Sequence, residues 1–159
     1  MNLTALLWVI ALTLTPTLEL RASIPYAILG AGLSPWAAGA LGVAANTALA
    51  PLVWIFLDKA LHLFLRIGWF SRLWERYAER KRASLQRLVD RYGVLGLALF
   101  IGVPLPGTGV YSGAVAAYLL GYRFRDYMLA SFLGCLLAGA AVTAVVASGS
   151  EVFAFVYKH

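Results

Sequence analysis

Glu19 and Arg21 stand two positions apart in "ELRASIP", and they are the only charged residues among the first 57. About eighty residues later comes "FIGVPLPGTGVYSG", residues 100–113, where Pro104, Pro106, Gly107 and Gly109 interrupt an apolar run. A carboxylate can take up a proton, and a guanidinium can hold an anionic group. The proline–glycine cluster supplies something else. Proline removes a backbone donor and pushes its predecessor towards extended geometry, and glycine permits tight turns, so the segment breaks helix. At membrane depth such a break is tolerated only when it is buried in protein or lines a wet cavity. Thr108 or Gly109 would then begin a helix whose free N–H groups face that cavity, a ready anion site. In the first motif Ser23 is placed to cap a helix with Pro25 in its first turn. Two helix amino ends could thus meet near the middle of a bilayer. Plainer readings stand beside these: a Glu19–Arg21 pair at the outer interface, and a purely structural turn at Pro104, Pro106 and Gly107. Asn46 has two roles open to it, an interhelical hydrogen bond or a place in the cavity wall.

The composition requires a membrane. Of 159 residues, 62% are hydrophobic and 13% charged, and the mean hydropathy is +0.80. Soluble domains hold about 45–50% apolar and about 25% charged residues. A water-soluble fold of this size could not hide so much apolar surface. The apolar amino-terminal segment lacks a basic leader and a convincing small-residue cleavage site, so it is read as retained. Cys135, the single cysteine, lies in an apolar run and is a packing residue; no disulfide framework follows. His62 and His159 have no partner motifs. No metal site and no cofactor is expected. "GTG" lacks the lysine and spacing of a phosphate-binding loop. No Ser-His-Asp, zinc or paired-carboxylate pattern occurs, so an enzyme is not expected.

The elements that must position these residues follow from the apolar runs. Residues 36–57 and 128–147 are long enough to cross a hydrocarbon core of roughly 30 Å. Each carries small residues at four-residue spacing: Ala38, Gly42, Asn46 and Ala50 in the first, Ala130, Gly134 and Ala138 in the second. Such faces let helix backbones approach closely. Pro51 is expected to kink the first. Residues 5–18, 22–33, 93–103 and 110–121 would span only about 16–21 Å as helices. They pair into two re-entrant hairpins with tips inside the membrane. Residues 58–92 hold nine of the thirteen Lys and Arg. Their apolar positions recur at three- and four-residue spacing, as in an amphipathic helix on a cytoplasmic membrane surface. Nucleic-acid binding is the less economical reading of that charge. The fold class is therefore all-α integral membrane: an inverted repeat of re-entrant hairpin plus transmembrane helix, with halves 1–57 and 93–159 and a surface helix between them. A hairpin returns to its own side and a crossing does not. Both termini should then lie outside, with the linker and the Arg-rich loop "RFRDY" inside.

"ELRASIPYAI" together with "ALFIGVPLPGTGVYSGAVAAYLLG" resembles the putative small multidrug export protein family, a distant relative of the DedA/VTT membrane proteins. The resemblance covers almost the whole chain. It implies two facing re-entrant hairpins in an inner (cell) membrane, and an activity in moving lipids, polyprenyl phosphates among them, with a link to protons. Glu19 matches the acidic position of the first hairpin, and Pro104 to Gly107 match the proline–glycine tip of the second. The arginines that DedA-type proteins carry around the second tip are absent here, with Arg91 and Arg123 the nearest; Arg21 could supply the charge from the other hairpin. The expected function is a small transporter or lipid translocase working by alternating access, with membrane lipids, an amphiphilic or lipid-phosphate substrate and protons as partners. A homodimer is admitted. A proton-coupled exporter of cationic drugs and a non-transporting membrane scaffold are the rivals.

Overall fold

Pro16 ends the first helix. In the computed structural model, which describes residues 3–16, 18–64, 76, 92–103 and 108–157, α1 runs Leu3–Leu14. Proline has no N–H with which to continue the ladder. The Thr15 carbonyl instead accepts the N–H groups of Leu18 at 3.0 Å and Glu19 at 3.1 Å. That turn launches α2, Glu19–Pro25. The first break therefore lies at residues 15–18 and not in "ELRASIP", and Glu19 and Arg21 occupy the first turn of a helix. Pro25, expected in a first turn, is instead the last residue of α2. The backbone continues past it by widening into a π turn, Tyr26–Gly30, with the Ala31 N–H on the Tyr26 carbonyl at 2.9 Å.

Two junctions of the same design start the long helices. Gly32 (φ +66°) reverses the chain after the π turn, and the Leu33 N–H reaches back to the Ala27 carbonyl at 2.9 Å. Ser34 Oγ then accepts the Ala37 N–H at 3.4 Å, and Pro35 is the first residue of α3, Pro35–Phe64. Gly121 (φ +73°) ends α5, Val110–Leu119, with the Tyr122 N–H on the Ala117 carbonyl at 2.9 Å. The Asp126 carboxylate accepts the Arg123 N–H at 3.3 Å and opens α6, Phe124–Tyr157. The remaining helix is α4, Tyr92–Gly102. No strand occurs among the described residues.

Two stretches, Pro35–Ala60 and Phe124–Gly149, are long and apolar enough to cross a membrane, at 26 residues each. They bracket the crossings expected at 36–57 and 128–147. Pro51 lies inside α3 without ending it. α3 also runs beyond residue 57 to Phe64, into the start of the expected linker. Of the rest of that linker only Arg76 and Tyr92 are described, so its amphipathic helix lies outside the described residues. At 12 and 10 residues, α1 and α5 are too short to cross, since they span about 18 and 15 Å.

Small residues line the faces where the two long helices meet, and many large apolar residues face outward. α3 buries Ala38, Gly42, Asn46, Leu49, Ala50 and Val53. α6 buries Ala130, Ser131, Gly134, Cys135, Ala138 and Gly139 on one face. The two helices run antiparallel, because Gly39 faces Thr143, Gly139 faces Val43, and Trp54 stacks on Tyr127 with ring centres 5.1 Å apart. Outside, Trp36 is 87% exposed and Phe56 74%. This arrangement suits a lipid solvent, which removes the reason to bury large apolar groups and leaves close backbone packing as the source of cohesion. Both expected small-residue faces are buried.

The α4–α6 contact is the tightest test of that cohesion. A Cβ on Gly134 would stand 2.8 Å from the Ala98 carbonyl oxygen and 2.8 Å from Ile101 Cβ. Gly134→Val should therefore destabilise the protein by about 1–3 kcal/mol through overpacking. Gly149→Ala, at a helical position with nothing within 4 Å, should be neutral or stabilising by up to about 1 kcal/mol. Thermal unfolding of the detergent-solubilised protein, followed by tryptophan fluorescence, measures both.

Candidate functional site

The amino end of α5 is where the two breaks meet. An α-helix begins with N–H groups that have no partner within the helix, and they attract negative charge. At α5 these groups are not open to a cavity, as the sequence suggested. The Val110 N–H donates to Glu19 Oε2 at 3.1 Å and the Tyr111 N–H to Glu19 Oε1 at 3.3 Å. The chain caps its own second break with the carboxylate that starts its second helix. Glu19 is only 5% exposed. Hydrogen bonds from two backbone donors compensate for the burial of a charged group.

Two backbone conformations bring this about. Glu19 has φ +45°, in the left-handed region that L residues enter at a cost of roughly 1–2 kcal/mol. Gly109, which precedes α5, has φ +137°. A Cβ there would lie 2.7 Å from Glu19 Oε1 and 2.8 Å from its carboxyl carbon. Position 109 must therefore be glycine for the carboxylate to reach the helix end. The sequence marked Gly109 as a breaker; its further role is close approach.

Arg21 makes a second tie. Its Nη2 donates to Thr108 Oγ1 at 2.6 Å and to the Val103 carbonyl at 3.2 Å. Thr108 Oγ1 donates to the same carbonyl at 2.6 Å. Val103 and Thr108 flank residues 104–107, so the guanidinium draws together the two ends of the proline–glycine tip. Pro104, Pro106 and Gly107 themselves lie outside the described residues.

The structure thus joins Glu19, Arg21, Thr108 and Gly109 in one cluster. It does not join the other expected residues to it in the expected ways. Ser23 is not a cap: it lies one turn inside α2, buried, and its hydroxyl has no hydrogen-bond partner. The reason is that α2 starts at Glu19, four residues ahead of it. Among the described residues Asn46 makes no interhelical bond. Its Nδ2 donates to the Gly42 carbonyl of its own helix at 3.4 Å, and its Oδ1 is unpartnered in a fully buried position.

Two tyrosines complete the cluster and were not singled out from the sequence. Tyr111 Oη donates to the Leu14 carbonyl at 2.7 Å, tying the end of α1 to the start of α5. Tyr127 Oη donates to the Val110 carbonyl at 3.0 Å from α6, and Tyr127 is itself fully buried. Trp54 on α3 stacks against the Tyr127 ring. A buried tyrosine needs a hydroxyl partner, and Tyr111 lies within the second motif, which was the available signal. Among the described residues no group of three or more His, Cys, Asp or Glu is placed to hold a metal ion.

The profile of one protein family, described as "Putative small multi-drug export protein", matches residues 19–141. The match begins at Glu19 and takes in Arg21, Thr108, Gly109, Tyr111 and Tyr127. No curated protein and no solved structure matches the chain significantly. With its apolar spans and a family match over most of its length, the chain belongs to the small multi-drug export protein family of membrane proteins.

Proposed function

We propose that the protein is a small membrane transporter of DedA/VTT type, moving a lipid phosphate or similar amphiphile between the two breaks by alternating access. It is a transporter and not an enzyme. Its partners are membrane lipids, the amphiphilic substrate and protons, and its place is an inner membrane with the linker on the cytoplasmic side. One observation carries this reading: both interruptions of an otherwise apolar bundle converge on one charged cluster, Glu19 and Arg21 against the amino end of α5. Ionisable groups are costly in a bilayer and mark pathways and relays there. Discontinuous helices whose amino ends point at anionic groups are a recurrent solution to transport.

The repeat has support of its own. Each half reads short helix, break, short helix, left-handed glycine, capped long helix, with Gly32 and Gly121 in matching places. α2 packs on α3 and α6, and α5 packs on the same two helices. With α1–α2 and α4–α5 as re-entrant hairpins, each half crosses once and the second half is inverted. A second reading, a proton-coupled exporter of cationic drugs with Glu19 as the cation site, draws on the family's description.

In proteoliposomes, Arg21→Ala should lower transport of an anionic fluorescent lipid phosphate about tenfold, the loss of a charge-assisted hydrogen bond. Transport of a neutral analogue should change little. The opposite selectivity, with cationic dyes carried and anionic lipids not, establishes the exporter reading. No transport of either class above protein-free vesicles leaves a membrane scaffold.

Topology is tested separately. Single cysteines at positions 2, 80 and 158, in a Cys135→Ala background, should label from outside, inside and outside respectively. All three inside would overturn the inverted, re-entrant arrangement.

A further inference from the structure

Glu19 occupies the place where an anionic substrate group would be expected. The amino end of α5 is an anion seat, and the chain has filled it with its own carboxylate. Both oxygens are used, one for each N–H. A proton on either oxygen would turn it into a hydroxyl, a poor acceptor, and the neutral acid is a weaker acceptor at the other oxygen as well. It would also remove the negative charge that the helix end favours. The carboxylate hold thus depends on charge more than on shape.

The hold is also under conformational load. Glu19 adopts φ +45°, which an L residue keeps only when its surroundings impose it. The imposing contacts are the two hydrogen bonds to α5 and the helix that Glu19 begins. Weakening the bonds removes one of the two.

We propose that Glu19 is a proton-operated latch: ionised, it ties the amino end of α5 to α2, and protonated, it releases the Val110 and Tyr111 N–H groups. The latch deepens the transport reading, since it makes the seat for an anionic group available when a proton is taken up. By linkage, an anion that enters the released seat favours the protonated form in return. The latch itself is a property of the resting protein and needs no substrate.

Among the described side chains, those facing Glu19 offer no other operator near neutral pH. Arg21 shares its helix, Tyr111 lies on α5, and Tyr127 and Cys135 approach from α6. α1 has no titratable side chain. Asp58 on α3 acts on Tyr118, at the other end of α5 from Glu19. Ordinary arginine, tyrosine and cysteine side chains titrate above pH 8, whereas a carboxyl group does not.

The test is amide exchange of the full-length protein in nanodiscs without substrate, read residue by residue by NMR. Exchange is expressed as protection factors, which remove the intrinsic pH dependence of exchange chemistry. Protection at Val110 and Tyr111 should fall about tenfold between pH 8 and pH 4.5, while residues 130–138 of α6 stay unchanged. In Glu19→Gln, which cannot titrate, protection at Val110 and Tyr111 should be the same at both pH values. A wild-type protein with pH-independent protection overturns the latch and needs no variant to do so. pH dependence that persists in Glu19→Gln overturns it as well, by assigning the effect to another group. Gly109→Ala, which crowds the carboxylate, should lower protection already at pH 8. A latch that passes these measurements in a protein that moves nothing in vesicles would stand without the transport reading, and a transporter whose Val110 and Tyr111 ignore pH would stand without the latch.

Discussion

A helix end leaves backbone groups without partners in the helix, and the need to satisfy them within the protein organises the molecule. The chain breaks its helices once ahead of each long span, and each break must find partners within the protein. It finds them in the other break. The amino end of α5 is satisfied by the residue that begins α2, the end of α1 by a tyrosine of α5, and the two sides of the proline–glycine tip by an arginine of α2. Each break also has bonds of its own, from the Leu18 and Glu19 N–H groups to the Thr15 carbonyl and from the Thr108 hydroxyl to the Val103 carbonyl, but these leave the amino end of α5 to Glu19.

The remainder of the bundle can be read as support for that exchange. α3 and α6 approach closely through glycine and alanine, and they bring Trp54 against Tyr127. Tyr127 in turn reaches the first residue of α5. Many large apolar side chains, Trp36 and Phe56 among them, are on the outside, while Ile24, Leu97, Ile101 and Tyr127 are buried in the core. The interior also holds a few polar side chains, among them Ser23, Asn46 and Ser131, all buried with an unpartnered oxygen.

How much of this was legible depends on the kind of signal. The two long spans follow from length and composition, and the small faces of α3 and α6 from a four-residue spacing that burial reproduces. The cluster members Glu19, Arg21, Thr108 and Gly109 were also legible, because a charge in an apolar run and a glycine beside prolines stand out as residue types. Partnership was not. Whether Pro16 or the later "ELRASIP" would break the first hairpin could not be judged from proline content, since Pro25 is absorbed by a π turn. Ser23 looks like a cap until the helix start is known, and shifting that start by four residues buries it. That the free N–H groups of α5 meet Glu19 and not a cavity is a fact about two segments ninety residues apart in sequence. Local pattern carries no information about that pairing.

Glu19 and Arg21 leave from the same turn of a seven-residue helix. One grips the start of α5, and the other grips both flanks of the tip that leads to it. In mechanical terms α2 is a short lever with two attachment points on the same load. A rotation of α2 about its axis would move both side chains at once. A change at Glu19 alone, in its charge or in its φ of +45°, separates the two grips. The adjacent π turn marks the natural fulcrum: its hydrogen bonds are spaced more widely than those of the helix on either side, and it lies between the lever and the long helix that anchors it.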